Sequence, residues 1–125
     1  MKLLLDTHIV LWWLDDPNLV AEDAADLIFD PTNEVLVSAV CAREIAIKRA
    51  LGKVTAPHNL QAVIRSAGFA ELSITHTHAL AIESLPDHHR DPFDRLLIAQ
   101  AIIEGCKLVT RDESIKRYAV DIVDG

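Results

Sequence analysis

Four carboxylic acids of this chain stand beside strongly hydrophobic sequence, where an unpaired carboxylate is costly to bury: Asp6, Glu44, Asp94 and Asp112. They are scattered along the 125 residues, so only folding could bring them together. A divalent cation bound by oxygen ligands is the simplest compensation for such a cluster. The set therefore predicts a site for a divalent cation and, with it, metal-dependent hydrolysis of a phosphodiester.

The elements that must position these acids alternate between strand and helix, in a chain that has the length of one domain (residues 1–125) and is 50% hydrophobic. Short apolar runs predict strands, and helical periodicity between turn residues predicts helices. The predicted strands are Lys2–Leu5, Glu34–Val37, Ala70–Ile74, Lys107–Val109 and Ala119–Val123. The predicted helices are Thr7–Leu14, Ala21–Phe29, Ala39–Leu51, Pro57–Ala67, Thr77–Leu85, Pro92–Glu104 and Asp112–Arg117.

This alternation indicates an α/β protein with a parallel sheet that helices cover on both faces. In such sheets, ligands bind beyond the carboxyl ends of the strands. Asp6 and Asp112 each follow a predicted strand, and Glu44 lies on the helix after another. We therefore expect three of the four acids at one rim. Thr7 and Thr110 have hydroxyls beside the acids and could orient them, or could serve in turns and caps.

Glu44 interrupts a helix face that should be buried. At about 100° per residue, it shares one stripe with Val40, Ile47 and Leu51. A solvated glutamate normally avoids such a stripe, which favours a ligand role for this residue. The alternative is a buried glutamate paired with an arginine.

Asp94 lies on a similar stripe with Leu97, Ile98 and Ala101. The preceding Asp91 is followed by proline, which is typical of a helix N-cap. We therefore interpret Asp91 as the cap and Asp94 as the ligand. Asp112 alone would be interpreted as the cap of its short helix, and only the other three acids favour a ligand role for it.

The formal net charge of −7 disfavours loose binding of nucleic acid, which depends on Lys and Arg. Arg43, Arg95 and Arg111 each neighbour an acid in sequence, and they either reach phosphate or form structural ion pairs. One basic stretch could face a phosphate backbone or could be a solvated helix edge: Arg43, Lys48, Arg49 and Lys53.

A zinc site is not expected from the histidines. His76, His78, His88 and His89 lack the i,i+4 spacing that places two imidazoles on one helix face, so we expect them in loops and on the surface. His8 is expected to pack or to form a hydrogen bond rather than to bind metal.

Two further pairs of residues carry expectations. Trp12 and Trp13 diverge on a helix, so one is expected in the core and the other in a contact with a dimer mate or another partner. Cys41 and Cys106 lack metal-binding spacing and are expected to be buried free thiols of a reducing cytoplasm. No apolar run approaches the ~20 residues of a membrane-spanning helix.

Four motifs, taken together and in order, span the chain: Leu4–His8 with Trp12–Leu14 after it, Ser38–Ile45, Arg90–Ala101 and Leu108–Asp112. In this order they resemble the PIN-domain ribonucleases, and most of all the VapC toxins of bacterial toxin–antitoxin pairs. The resemblance implies a three-layer α/β/α sandwich with a short, mainly parallel sheet. It also implies a homodimer and a small antitoxin partner whose tail masks the active site.

The resemblance further implies that RNA is hydrolysed by water activated by Mg²⁺ or Mn²⁺ at Asp6, Glu44, Asp94 and Asp112. Asp6 and Asp94 are expected to contact the metal, and Glu44 to bind metal or the attacking water. Asp112 would complete a second position or the outer shell. Asp91 is an additional acid that could share the role of Asp94.

Other classes of protein fit the sequence less well. A receiver-like signalling domain would need paired acids after the first strand, an aspartate after the middle strand and a lysine near the last strand. A dehalogenase-type phosphatase would need an acid at the position of His8. A PIN fold that only binds would not need the complete acid set. A housekeeping PIN nuclease of RNA processing remains the alternative within the family.

Overall fold

Five strands form the central sheet of the computed structural model, which describes residues 1–125. The strands are β1 (Lys2–Leu5), β2 (Glu34–Ser38), β3 (Ala70–Leu72), β4 (Lys107–Thr110) and β5 (Ile122–Asp124). Their order across the sheet is β3-β2-β1-β4-β5, and every neighbouring pair is parallel. The prediction of a parallel sheet is therefore confirmed.

Six α-helices connect the strands: α1 (Thr7–Asp15), α2 (Glu22–Phe29), α3 (Ala39–Ala50), α4 (Leu60–Ser66), α5 (His76–Ala81) and α6 (Pro92–Glu104). Short 3-10 turns lie at Pro17–Leu19, Ile82–Ser84 and Ile115–Arg117. Since parallel crossovers are right-handed, the segments that lead toward β3 and those that lead toward β5 place their helices on opposite faces. The result is the expected three-layer α/β/α sandwich.

Several predicted boundaries were wrong. The helix predicted for Pro57–Ala67 begins only at Leu60, because the Pro57 carbonyl accepts a hydrogen bond from Arg49 and lies in a loop. The helix predicted for Thr77–Leu85 continues beyond Ala81 only as a 3-10 turn. The helix predicted for Asp112–Arg117 is reduced to the turn Ile115–Arg117. The strands predicted for Ala70–Ile74 and Ala119–Val123 are the shorter β3 and the later β5.

The centre of the sheet is fully buried. Leu5 of β1 lies opposite Val109 of β4, and both side chains are inaccessible to solvent. After β1 the chain continues to β2 and β3, on one side of this pair of strands. After β4 it continues to β5, on the other side. The β1/β4 junction is thus the switch point at which open α/β sheets form their ligand crevice.

Cys41 and Cys106 are free and buried, as expected. None of the helices has the length and apolar character needed to cross a membrane.

Candidate metal centre

Asp6 lies at the switch point and is almost completely buried, with 5% of its surface exposed. It caps α1, since its Oδ1 accepts a hydrogen bond from the Ile9 amide at 2.9 Å. Its Oδ2 accepts a hydrogen bond from the Thr110 hydroxyl at the end of β4. Burial raises the pKa of Asp6, although the bonds from Thr110 and Ile9 oppose that rise.

Glu44 is buried on α3 with 4% of its surface exposed. The Thr7 hydroxyl donates to its Oε1 at 2.6 Å, and the Lys48 ammonium contacts its Oε2 at 2.6 Å. The ammonium–carboxylate bond raises the pKa of Lys48, and the charges of Asp91 and Asp94 add to that effect. The orienting roles proposed for Thr7 and Thr110 are thus observed as hydrogen bonds.

The stripe predicted around Glu44 was wrong in part. Ile47 is 39% exposed and Leu51 is 64% exposed, so the buried side of α3 runs through Cys41 and Ile45 instead. The helix is buried near its start and reaches solvent near its end, which a uniform stripe does not describe. The charged partner of Glu44 is Lys48 one turn later rather than an arginine.

Asp94 lies in the first turn of α6, above the buried residues Leu97, Ile98 and Ala101. The prediction for Asp91 is confirmed, because its Oδ1 accepts hydrogen bonds from the amides of residues 93 and 94 at 2.8 and 3.2 Å. Asp91 is therefore the cap of α6.

The pKa of Asp94 is raised to about 7, first by burial and then by the charge of Asp91. The charges of Glu44 and Asp6 add to this rise. Acids from three separate elements therefore act on one carboxyl group. Near neutral pH, this site retains a proton that a cation could displace.

Asp112 follows β4 and is the most exposed of the four acids, with 38% of its side chain accessible. Its Oδ1 accepts hydrogen bonds from the amides of Ser114 and Ile115 at 2.7 and 3.3 Å, so it does stabilise a turn. Its charge contributes to raising the pKa of Asp6. The turn role and a place in the acidic cluster are thus compatible.

His89 lies in a loop, as expected, but only 18% of its side chain is exposed and it faces the acids. Its Nε2 lies 2.8 Å from Oδ2 of Asp94 and 3.4 Å from Oδ2 of Asp112, and these groups are close enough to share one ion. The signal for it was its position just before the Asp91–Asp94 segment. His78 was wrongly placed, since it is buried and its Nε2 lies 2.9 Å from Glu104.

Two of the three arginines beside the acids, Arg95 and Arg111, serve the scaffold. Arg95 donates to the carbonyl oxygens of Ile82, Pro86 and His89, and Arg111 donates to those of Leu19 and Gly125. Both guanidinium groups are therefore bound to backbone carbonyl oxygens. They neither form ion pairs with the acids nor remain free to bind phosphate.

The basic stretch on α3 is divided in its roles. Lys48 contacts Glu44 and Arg49 donates to a loop carbonyl, whereas Arg43 and Lys53 are exposed. Only the exposed pair can face a phosphate backbone without losing an internal contact.

A cavity of about 250 Å³ opens beside the cluster, lined by Asp6, Asp112, His8, Trp12 and Arg111. The Arg111 guanidinium lies 4.1 Å from the centre of the Trp12 ring. Trp13 is 8% exposed and belongs to the core, as expected for one member of the pair. Trp12 is half-buried, and its contact with a partner stays a prediction.

The chain matches known proteins along almost its full length. The PIN domain family model matches residues 3–121. Ribonuclease VapC22 from Mycobacterium tuberculosis is 30% identical over 122 residues, which cover 92% of this chain and 90% of the relative.

Two solved structures have a similar fold. One is the crystal structure of VapBC2 from Rickettsia felis bound to a DNA fragment from their promoter, with a TM-score of 0.74, 16% identity and 98% of each chain covered. The other is VapBC-1 from nontypeable Haemophilus influenzae, with a TM-score of 0.61, 20% identity, and 99% of this chain and 98% of that chain covered. At these identities the likeness establishes the fold alone.

Proposed function

The chain belongs to the PIN-domain family, with a VapC ribonuclease as a full-length relative, and we propose from this that it is a metal-dependent endoribonuclease and the toxin of a type II toxin–antitoxin pair. The observation that carries the proposal is the convergence of four acids near the β1/β4 switch point, two of them buried and two partly exposed. The pKa of Asp94 is raised to about 7 by burial and by the charges of three acids: Asp91, which caps its own helix, Glu44 on α3 and Asp6 before α1. Such crowding has no structural benefit of its own and is relieved by a cation.

The donor set fits Mg²⁺ or Mn²⁺, because carboxylate oxygens are the ligands these ions prefer. We propose Asp6 and Asp94 as direct ligands, Glu44 as a ligand of metal or of the attacking water, and Asp112 at a second position or in the outer shell. When bound, the metal would activate water at neutral pH and neutralise charge on the phosphate.

The residues of the chain prepare the site. Thr110 and the Ile9 amide fix both oxygens of Asp6, and Thr7 fixes one oxygen of Glu44. Side chains held in this way need no reorganisation when the substrate arrives. The Lys48 ammonium balances the charge of Glu44 and is a candidate to contact phosphate once a metal takes over that balance.

The partners follow from the same family membership. We propose RNA as the substrate, a cognate antitoxin as the inhibitor and a homodimer as the working form. Trp12, half-buried at the edge of the acidic cavity, is the residue that we propose in a partner contact.

The first experiment is cleavage of total bacterial RNA by the purified protein with Mg²⁺ or Mn²⁺. We expect fragments that disappear in EDTA and in an Asp6→Asn variant, which retains the side-chain shape but loses the charge. An Asp23→Asn variant is the matched control, since this exposed residue on α2 lies outside the cluster.

A parallel calorimetric titration with Mg²⁺ separates binding from catalysis. Metal binding without any cleavage of that RNA would favour a PIN fold that only binds. Cleavage that persists in both EDTA and Asp6→Asn would contradict the proposed chemistry. Loss of cleavage in Asp23→Asn as well would show that the assay reports folding rather than the site.

A further inference from the structure

The His89 imidazole bridges two of the acids through a single nitrogen. Its Nε2 lies 2.8 Å from Oδ2 of Asp94 and 3.4 Å from Oδ2 of Asp112. Two interpretations of this arrangement are possible. Either Nε2 is a third ligand for an ion, or it is a hydrogen-bond donor to carboxylates that hold the ion.

The other ring nitrogen decides between them. The backbone amide of Asp91 donates to Nδ1 of His89 at 3.2 Å, so Nδ1 is an acceptor. A neutral imidazole that accepts at Nδ1 carries its proton at Nε2. A protonated Nε2 has no lone pair for a metal, and moving that proton to Nδ1 would set it against the Asp91 N–H.

We propose that His89 is a positioning residue of the metal centre, which donates its Nε2–H to Asp112, contacts Asp94 and does not bind the metal itself. The hydrogen bond fixes Oδ2 of Asp112, and the 2.8 Å contact keeps Oδ2 of Asp94 beside the same nitrogen. The remaining lone pairs of both carboxylates are left for the cation. This proposal rests on the proposed function, because it assigns a role at the same metal site.

The loop that carries His89 is braced so that the ring can hold this position. The Tyr118 hydroxyl accepts hydrogen bonds from the amides of His88 and His89 at 3.2 and 2.9 Å. Arg95 donates to Tyr118 and to the Pro86 carbonyl, at 3.2 and 3.0 Å. None of these contacts involves the His89 side chain, so replacing that side chain does not remove them.

The direct test is the ¹⁵N NMR spectrum of the ring nitrogens of His89, recorded in EDTA and then with saturating Mg²⁺. We expect a protonated Nε2 and an unprotonated Nδ1 in both spectra. An Nε2 that loses its proton when Mg²⁺ is added would overturn the proposal, and so would a proton on Nδ1 in the metal-free protein.

Two substitutions separate the functions of the two nitrogens. His89→Gln places an N–H donor near the Nε2 position, whereas His89→Asn retains an acceptor near Nδ1 and loses the donor. We expect Mg²⁺ affinity, measured by calorimetry, to stay near wild type in the glutamine variant. It should fall by about 10- to 100-fold in the asparagine and alanine variants, as for other groups that orient metal ligands.

His88→Ala is the matched control, because His88 packs edge-on against Tyr118, 5.0 Å between ring centres, and is not part of the acid cluster. It should leave Mg²⁺ affinity unchanged. Equal losses in the glutamine and asparagine variants would refute the donor role. If the wild-type protein binds no divalent metal, the proposed function fails, and the metal-free spectrum still decides which nitrogen carries the proton.

Discussion

Replacing Asp94 by asparagine should stabilise the metal-free protein. The pKa of this carboxyl is about 7 in the folded chain, against 3.8 for an ordinary aspartate, because it is buried and lies beside Asp91. The folded state therefore holds a proton that the unfolded state releases between these two values. Stability is greatest below the unfolded pKa and is lost as pH rises toward 7. With about 1.4 kcal/mol for each pKa unit, the ionised group destabilises the fold by up to about 4 kcal/mol at pH 8.

Asparagine removes that charge and keeps a polar group of the same shape in contact with His89. Urea unfolding in EDTA should therefore show Asp94→Asn to be more stable than wild type by about 2–4 kcal/mol near pH 8. The gain should shrink to about 1 kcal/mol near pH 4.5, where the native carboxyl is already protonated. Mg²⁺ should stabilise the wild type through binding and leave the variant almost unchanged.

The control is Asp87→Asn, which removes one negative charge from an exposed position in the loop before α6. It should change stability by less than about 0.5 kcal/mol. The reasoning about Asp94 is refuted if its asparagine variant is less stable than wild type at pH 8, or if its gain is the same at both pH values. Either result would mean that the carboxylate is not held against its preference in the metal-free fold.

Three further predictions concern the same cluster. Mg²⁺ affinity should fall about tenfold per pH unit below pH 7, because the metal must displace the proton of Asp94, and calorimetry in several buffers should detect that proton. Asp91→Ser should keep the helix cap and retain metal binding, whereas Asp91→Ala should lower the free energy of unfolding by about 1 kcal/mol. Loss of metal binding in the serine variant would show that Asp91 is a ligand. Lys48→Met should destabilise the metal-free protein by about 1–3 kcal/mol, because it leaves the buried Glu44 carboxylate without the ammonium group that balances its charge. Mg²⁺ should restore part of the lost stability. Equal destabilisation with and without metal would argue against Glu44 as a ligand.

The sequence predicted well those parts of the fold that are determined by residues close to each other along the chain. Helix α6 begins and ends where predicted, because Asp91 and Pro92 start it and Gly105 ends it with a left-handed φ of 66°. The four acids were recognised because a carboxylate in apolar sequence is conspicuous without any knowledge of its partners. Their convergence followed from the rule that the carboxyl ends of parallel strands share one rim.

The parts that sequence missed depend on distant contacts. His89 and Asp112 are 23 residues apart, and no spacing rule connects them. Ile47 lies on the stripe of Glu44 but is exposed, because α3 is covered by its neighbours only near its start. Arg95 neighbours an acid in sequence and yet turns to the carbonyls of the loop before α6. Periodicity identifies a face of a helix but not what covers that face.

The hydrogen bonds of the cluster indicate where a cation acts first. Asp6 has two donors from its own chain, Thr110 and the Ile9 amide, which oppose the effect of its burial on its pKa. Burial and the charge of Asp91 raise the pKa of Asp94 to about 7. A cation that enters this crevice therefore gains most at Asp94, where it replaces a proton and relieves repulsion from the other acids. The same imbalance makes the metal-free fold less stable than its core would allow, so stability and metal binding are coupled through one carboxyl group.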